Sequence, residues 1–232
     1  KAVGIQVLYG DTDSIFLKNP SKEQVEELAR WTEHELKMTI DVDKVYRYAV
    51  FSDRKKNYLG VLEDGSVDVK GLTGKKKHIP IFIKNAFNQM KERLAKVKNP
   101  AEFEKAKKDI ADIVRERYLR LKRREWGDIS ELAFHVVLGE DLESYTKTTP
   151  QHVKAARILK QNGAELRAGD MISFVKVIRE PRVKPVALTS KNEVDVDKYV
   201  AYLHSTFDQV LDALGLSFDE IIGLTKLERF LA

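Results

Sequence analysis

The chain has 232 residues, a third of them charged, no cysteine and a formal net charge of +5. A chain of this length can bury a substantial core in one large or two modest domains. Without cysteine there is no disulfide framework and no thiolate metal site. No apolar run approaches the ~18 residues of a membrane span and no signal peptide opens the chain, which predicts a cytoplasmic protein with no membrane partner.

The N-terminal segment predicts a β-hairpin. Two apolar runs, Val3–Leu8 and Ile15–Leu17, flank a polar turn with Gly10, Asp11 and Asp13 at its tip. Alternate residues of a strand face the same side, so both carboxylates are expected to point at one spot. Neighbouring carboxylates repel unless a cation neutralises them, and Mg²⁺ favours one or two protein carboxylates. The same residues also suit an ordinary turn closed by aspartate side chains.

A helix and a small antiparallel sheet are predicted next. Ser21 and Gln24 form a capping box, and apolar residues at helical spacing extend the helix over 21–38. Three strands follow, the last two joined by a turn at Glu63-Asp64-Gly65: 40–52, Tyr58–Leu62 and Ser66–Val69.

From about Gly74 the pattern becomes mainly helical. One helix carries a single apolar stripe made of Phe82, Ala86, Met90, Leu94 and Val97. Asn99-Pro100 begins the next helix, and Thr149-Pro150 repeats this cap-then-proline signal for a helix that ends near Gly163. Paired strands at Met171–Arg179 and Lys184–Thr189 and a helix over 196–214 complete the prediction.

The positive charge is concentrated in one stretch. Lys75–Glu125 carries 17 Lys and Arg against 7 Asp and Glu, a local charge of +10, so the rest of the chain is net acidic. A basic patch on a folded domain is typical of a surface that binds a polyanion. Solvated helix faces would produce the same composition.

Five segments, in this order, resemble the motifs of the family B DNA polymerases, most closely those of archaea. Residues 9–14, Tyr-Gly-Asp-Thr-Asp-Ser, resemble motif C, and 55–58, Lys-Lys-Asn-Tyr, resemble the KKxY motif. The later landmarks are similar as well: Asp68–Gly71, Thr149–Val153 and Asp195–Tyr199.

The resemblance implies site residues. Asp11 is expected to be the principal ligand of two Mg²⁺ ions, with Asp13 beside it and the remaining ligands in the missing part of the palm. It also implies a set of residues that contact primer–template DNA: Lys55, Lys56, Tyr58, Lys70, Lys76, Lys77, Lys147 and His152. For His152, a place in the first turn of its helix would also favour a phosphate, while a partly buried, purely structural histidine is the alternative.

The expected fold is α+β: an antiparallel part of a polymerase palm over residues 1–74, followed by a mainly helical, duplex-binding thumb over 75–232. The first metal-binding aspartate, the nucleotide-binding helix and the proofreading carboxylates of the family do not appear in the sequence. The chain is therefore expected to need the N-terminal part or a large subunit of the polymerase, which would complete the site for dNTP and primer.

The C-terminus resembles a sliding-clamp-binding motif. Leu227, Phe230 and Leu231 would form an apolar plug on one helical turn. The motif normally begins with Gln, and this chain has Leu224 there. A short amphipathic turn that begins at Thr225 and packs on the thumb is the alternative.

Two other functions fit parts of the pattern. A non-catalytic DNA-binding or assembly module would retain the aspartates without using them. A metal-dependent glycosyltransferase also uses Asp-x-Asp, but it needs a nucleotide-binding α/β sheet, and no glycine-rich βαβ pattern is present.

Overall fold

The computed structural model describes residues 4–52, 57–70, 78–146 and 149–223. The chain forms two compact units, residues 1–47 and 48–232. The described elements are helices and antiparallel sheets, which confirms the α+β class. The predicted division at 74/75 falls outside the described residues and stays a prediction.

The first unit contains the predicted hairpin. Strand β1 (Val7–Asp11) pairs antiparallel with β2 (Ser14–Leu17), and Asp11 lies opposite Ser14. The first strand begins later than predicted. It also extends as far as Asp11, because the turn has only two residues and the strand pairing continues up to it.

Helix α1 (Lys22–Trp31) begins at the predicted capping box: Ser21 Oγ accepts from Gln24 N at 3.2 Å, and Gln24 Oε1 accepts from Ser21 N at 2.9 Å. A π-helical turn follows, and the helix ends at Leu36, before left-handed Lys37. Among the described residues of this unit only Thr32 is buried, so the apolar stripe of α1 has no core of its own within the unit.

The second unit opens with a three-stranded antiparallel sheet. Its strands are β3 (Tyr46–Phe51, which begins in the last residues of the first unit), β4 (Tyr58–Leu62) and β5 (Val67–Lys70), in that order. Gly65 at φ +84° supplies the left-handed residue of the predicted β4–β5 turn.

Two long helices form most of the core beside this sheet. Helix α2 (Ile81–Ala95) buries the predicted stripe except Val97, which is also buried but lies just beyond the helix. Helix α3 (Pro100–Lys122) is capped by Asn99, whose Oδ1 accepts from Glu102 N at 2.9 Å. Tyr48 of β3 donates its hydroxyl to the Leu94 carbonyl at 2.5 Å. The two helices predicted from local spacing and caps are confirmed.

A second antiparallel sheet has the order β6-β7-β8: β6 (Phe134–Val137), β7 (Met171–Lys176) and β8 (Val183–Pro185). The last two strands are shorter than predicted, since β8 passes into a 3₁₀ turn at Val186. Strand β6 was not predicted.

Three further helices complete the described chain: α4 (Gln151–Gln161), α5 (Val196–Ala213) and α6 (Phe218–Ile222). Thr149 does not cap α4, contrary to the prediction. Pro150 occupies the cap position without a side-chain hydrogen bond, and Thr149 Oγ1 instead accepts from Arg157 Nη1 at 3.4 Å.

Helix α5 is joined to the second sheet by Tyr199, which is fully buried. Its hydroxyl accepts from the Lys176 backbone N–H and donates to the Leu132 carbonyl, both at 2.9 Å. Over the part of the chain that is described, no helix has the length and apolar character needed to cross a bilayer.

Candidate active-site hairpin and nucleic-acid-binding residues

Asp11 and Asp13 are both exposed at the end of the hairpin. The Asp11 carboxylate is oriented by the turn, because its Oδ1 accepts from the Thr12 N–H at 2.8 Å and from the Thr12 hydroxyl at 3.3 Å. Behind the turn, Tyr9 meets Phe16 edge-on at 5.8 Å, and Phe16 stacks on Tyr46 at 5.8 Å. These aromatic contacts support the strands that carry the acidic turn.

Contrary to the prediction, strand alternation does not relate the two carboxylates. Asp11 ends β1, whereas Thr12 and Asp13 form the turn, so strand alternation does not extend from one aspartate to the other. The turn itself brings Asp13 to the same end of the hairpin.

The β4–β5 register brings two of the predicted DNA-contact residues together. Tyr58 lies directly opposite Lys70, and residues opposite each other in an antiparallel pair present neighbouring side chains on one face. The Tyr58 ring also lies 6.2 Å from the Phe51 ring, and Asn57 before it is buried. Burial of Asn57 and the contact of Tyr58 with Phe51 therefore fix the position of these two residues at the start of β4.

His152 is the second residue of α4 and is partly buried. Burial lowers its pKa, and the positive charge of His78 lowers it further. The Tyr145 ring contacts it edge-on at 6.2 Å, and His78 places its Nδ1 3.1 Å from the His135 carbonyl. A lowered pKa favours a neutral imidazole at neutral pH, which can offer a phosphate one N–H and no charge.

The remaining predicted site residues lie outside the described residues. They are Lys55, Lys56, Lys76, Lys77 and Lys147 for DNA, and Leu227, Phe230 and Leu231 for the clamp.

Two cationic groups in the second unit were not singled out from the sequence. Arg117 of α3 is 8% exposed and lies against Phe82, and Lys176 of β7 is 4% exposed and lies against Phe134 and Phe174. In the sequence, Arg117 is one of many charges on a basic helix and Lys176 ends an apolar strand. The one sequence signal for its burial is the two-residue period of the strand, which puts Lys176 on the same face as Phe174.

Nowhere among the described residues do three or more His, Asp or Glu side chains form a group that could hold a metal ion. The exposed carboxylates of the hairpin are hard oxygen donors suited to Mg²⁺, but they supply at most part of an octahedral shell. A complete site needs ligands from elsewhere.

Known proteins similar to this chain are family B DNA polymerases or proteins named DNA polymerase. The sequence profile described as "DNA polymerase family B" matches residues 1–214. "DNA polymerase 1" of Saccharolobus solfataricus is 43% identical over 227 residues, and that of Sulfurisphaera ohwakuensis is 46% identical over 227 residues. Each alignment covers 98% of this chain and 26% of the relative, so the chain spans about a quarter of these proteins' length.

A solved structure agrees with these sequence relatives. The family B DNA polymerase from the archaeon Pyrobaculum calidifontis superimposes with a TM-score of 0.61 and 30% sequence identity. The superposition covers 97% of this chain and 27% of that protein. Because the profile matches nearly the whole sequence, and does so together with the hairpin and its acidic turn, the chain belongs to DNA polymerase family B.

Proposed function

We propose that this chain is the C-terminal palm and thumb portion of a DNA-dependent DNA polymerase. The observation that carries the proposal is the match of the family B profile to residues 1–214, with the Asp11–Asp13 turn exposed at the end of the N-terminal hairpin. In this role residues 1–74 complete the palm, and residues 75–232 form the thumb. The reaction is nucleotidyl transfer from a dNTP to the primer 3′-OH.

Asp11 is the proposed principal ligand for Mg²⁺, and Asp13 is the second carboxylate at the site. When bound, the two metal ions neutralise charge on the transferring phosphoryl group and orient the attacking and leaving oxygens. The chain's own contribution is to hold the carboxylate: the Thr12 N–H and hydroxyl both donate to one oxygen of Asp11.

The first unit supports the need for the rest of a polymerase. It leaves eight large apolar side chains 43–62% exposed: Val7, Leu8, Ile15, Trp31, Leu36, Met38, Val42 and Val45. So much exposed apolar surface around a short hairpin and one helix is typical of a surface that another part of the protein covers. We infer that the missing palm segment, whether in the same polypeptide or in a large subunit, covers it.

We propose that the chain binds primer–template DNA without regard to the DNA's base sequence. Tyr58 and Lys70, opposite each other on β4 and β5, form the described part of the contact, and Lys55 and Lys56 extend it. Lysines neutralise phosphates without reading bases, which suits an enzyme that must hold any sequence. The basic stretch Lys75–Glu125 adds to the attraction.

Asp11→Asn tests the catalytic part of this proposal. The variant is compared with wild type in primer extension, each completed by the rest of the polymerase. Loss of a metal ligand is expected to reduce the rate by about 10³-fold or more. Glu26→Gln, a change of an exposed carboxylate on helix α1 of the same unit, is the matched control and should extend at the wild-type rate.

Duplex binding should be unchanged in both variants. Extension by Asp11→Asn at the wild-type rate would contradict the metal assignment. It would favour the non-catalytic DNA-binding role instead.

A further inference from the structure

Two arginines of α3 lie against one phenylalanine of α2. The guanidinium carbons of Arg117 and Arg120 are 5.1 Å and 5.3 Å from the centroid of the Phe82 ring, which is fully buried. Residues three apart share a helix face, so both side chains reach the same ring. Each cation is attracted to the ring face, but the two like charges are held close together.

The Arg117 guanidinium has no hydrogen-bond acceptor among the described residues. The residue is 8% exposed, and its Nε is enclosed without a hydrogen-bond partner. Across the described ranges, no hydrogen bond or ion pair involves the Arg117 side chain. A guanidinium carries five donors and stays charged, so leaving it enclosed without an acceptor is costly.

The nearby carboxylates are engaged elsewhere. Burial, followed by the charge of Arg120, lowers the pKa of Arg117, while Glu116 and Glu131 act in the opposite direction. Glu131 accepts from two backbone N–H groups, at 3.1 Å and 3.3 Å, and Glu116 lies 3.7 Å from Arg120. Neither carboxylate is within ion-pair distance of Arg117.

The N-terminus of α2 adds positive potential beside the two arginines. Phe82 is the second residue of α2, where the helix dipole is positive. Pro80 at the cap has no side-chain acceptor, and the first turn contains no acidic residue. Arg120 is partly matched, because its Nη1 lies 3.7 Å from Glu116 and its Nε donates to the Glu125 carbonyl at 2.9 Å. The described residues supply no matching anion for the Arg117 side chain, which lies between Arg120 and the N-terminal turn of α2.

We propose that Arg117 and Arg120, held on the Phe82 ring, form an anion site that binds one phosphate of a nucleic-acid backbone. The enclosed Nε of Arg117 leaves its two terminal nitrogens to meet the anion, and a planar fork of N–H groups matches two phosphate oxygens. The surrounding stretch with its local charge of +10 favours a polyanion over a single protein carboxylate. The choice of nucleic acid as the source of the phosphate rests on the proposed function.

Arg117→Met is the decisive variant, because Met conserves much of the side-chain volume and removes the charge. Arg123→Met, at the exposed end of the same helix, is the matched control for loss of one charge. We expect Arg117→Met to bind primer–template duplex about tenfold more weakly or worse, with the slope of log K against log salt reduced by about one. The control should change affinity by much less.

A second measurement uses inorganic phosphate on the isolated chain and does not depend on polymerase function. Phosphate should raise the unfolding midpoint of wild type above that in chloride at equal ionic strength, and this gain should vanish in Arg117→Met. In chloride, Arg117→Met should be at least as stable as wild type, since it removes an unpaired enclosed cation. If it fails to fold, Arg117→Lys, which keeps the charge but loses the fork, should bind both probes more weakly.

The outcomes separate the alternatives. Phosphate stabilisation that depends on Arg117, without duplex binding by wild type, would support a free-phosphate site and contradict the DNA grip proposed above. Unchanged binding of both probes by Arg117→Met, or equal losses in both variants, would overturn the site. If Arg117→Met weakened only association with the rest of the polymerase, the acceptor would be a protein carboxylate, and the phosphate proposal would be wrong.

Discussion

Lys176→Met is expected to make the folded chain more stable at neutral pH. The Lys176 ammonium lies 5.2 Å and 5.5 Å from the ring centroids of Phe134 and Phe174, and the residue is 4% exposed. Within the described residues, its side chain has no hydrogen-bond acceptor or acidic partner. Burial, and secondarily the positive charge of Lys198, lowers its pKa from 10.5 to about 8.

The size of the effect follows from that pKa. The difference between about 8 and 10.5 corresponds to about 3 kcal/mol of penalty for keeping the buried group charged. Cation–π attraction to the two rings offsets about 1–2 kcal/mol of this penalty. Methionine keeps an apolar side chain of similar length and packs well against aromatic rings, but it has neither the penalty for a buried charge nor the cation–π attraction. The free energy of unfolding at pH 7 should therefore rise by about 1–3 kcal/mol.

The pH dependence gives an independent test of the same reasoning. Below pH 8 the lysine is protonated in both the folded and unfolded states, and the full penalty applies. Between pH 8 and 10.5 the folded state releases the proton first, so wild-type stability should rise with pH. Lys176→Met should lack this rise, which urea unfolding at a series of pH values would measure.

Lys184→Met is the matched control, because Lys184 lies on the neighbouring strand and is paired. Its ammonium is 2.7 Å from Glu193, and this hydrogen bond, together with the Ser190 N–H and hydroxyl, holds the pKa of Glu193 at about 2. Lys184→Met should lower stability by about 0.5–1 kcal/mol. Destabilisation by Lys176→Met of similar size would refute the account of Lys176 as an unpaired buried cation.

Three further predictions test other parts of the structure. Tyr199→Phe removes a hydroxyl that joins two buried backbone groups, and it should lower the free energy of unfolding, measured in urea, by about 2–4 kcal/mol. Tyr202→Phe is the control and should change this free energy little, because the Tyr202 hydroxyl has no hydrogen bond among the described residues. Glu193→Gln should flatten the loss of stability that wild type shows as pH falls from 4.5 to 2, because the wild-type carboxylate stabilises the fold only while ionised. Lys55→Ala with Lys56→Ala should weaken duplex binding at any sequence and reduce its salt dependence, and an unchanged salt slope would make both lysines ordinary solvated charges.

Elements specified by local signals could be predicted from the sequence. The capping box at Ser21, the Asn99 cap and the stripe of α2 each depend on residues within one or two turns, and the structure has all three. Strand β6 was not predicted because four residues carry little periodicity. Its pairing partner β7 begins more than thirty residues later. Thr149 was misassigned because Arg157, two turns along α4, competes for its hydroxyl.

The residues of the candidate site also differ in whether the sequence could predict them. The acidic turn and the lysine motif could be recognised because their residues are adjacent in sequence, and the Tyr58–Lys70 pair follows once the β4–β5 turn is identified. The contact of Arg117 with Phe82 could not be predicted, since it depends on how α3 packs against α2. In sequence, that arginine resembles any solvated charge on a basic helix.

The measurement that tests the central claim most directly is primer extension with the chain added to the rest of the polymerase. In the presence of Mg²⁺, extension is expected from the mixture and from neither part alone, because each part holds only some of the metal and DNA contacts. If the rest of the polymerase extended the primer equally well without this chain, the chain would not contribute to the active site, and the account would be wrong.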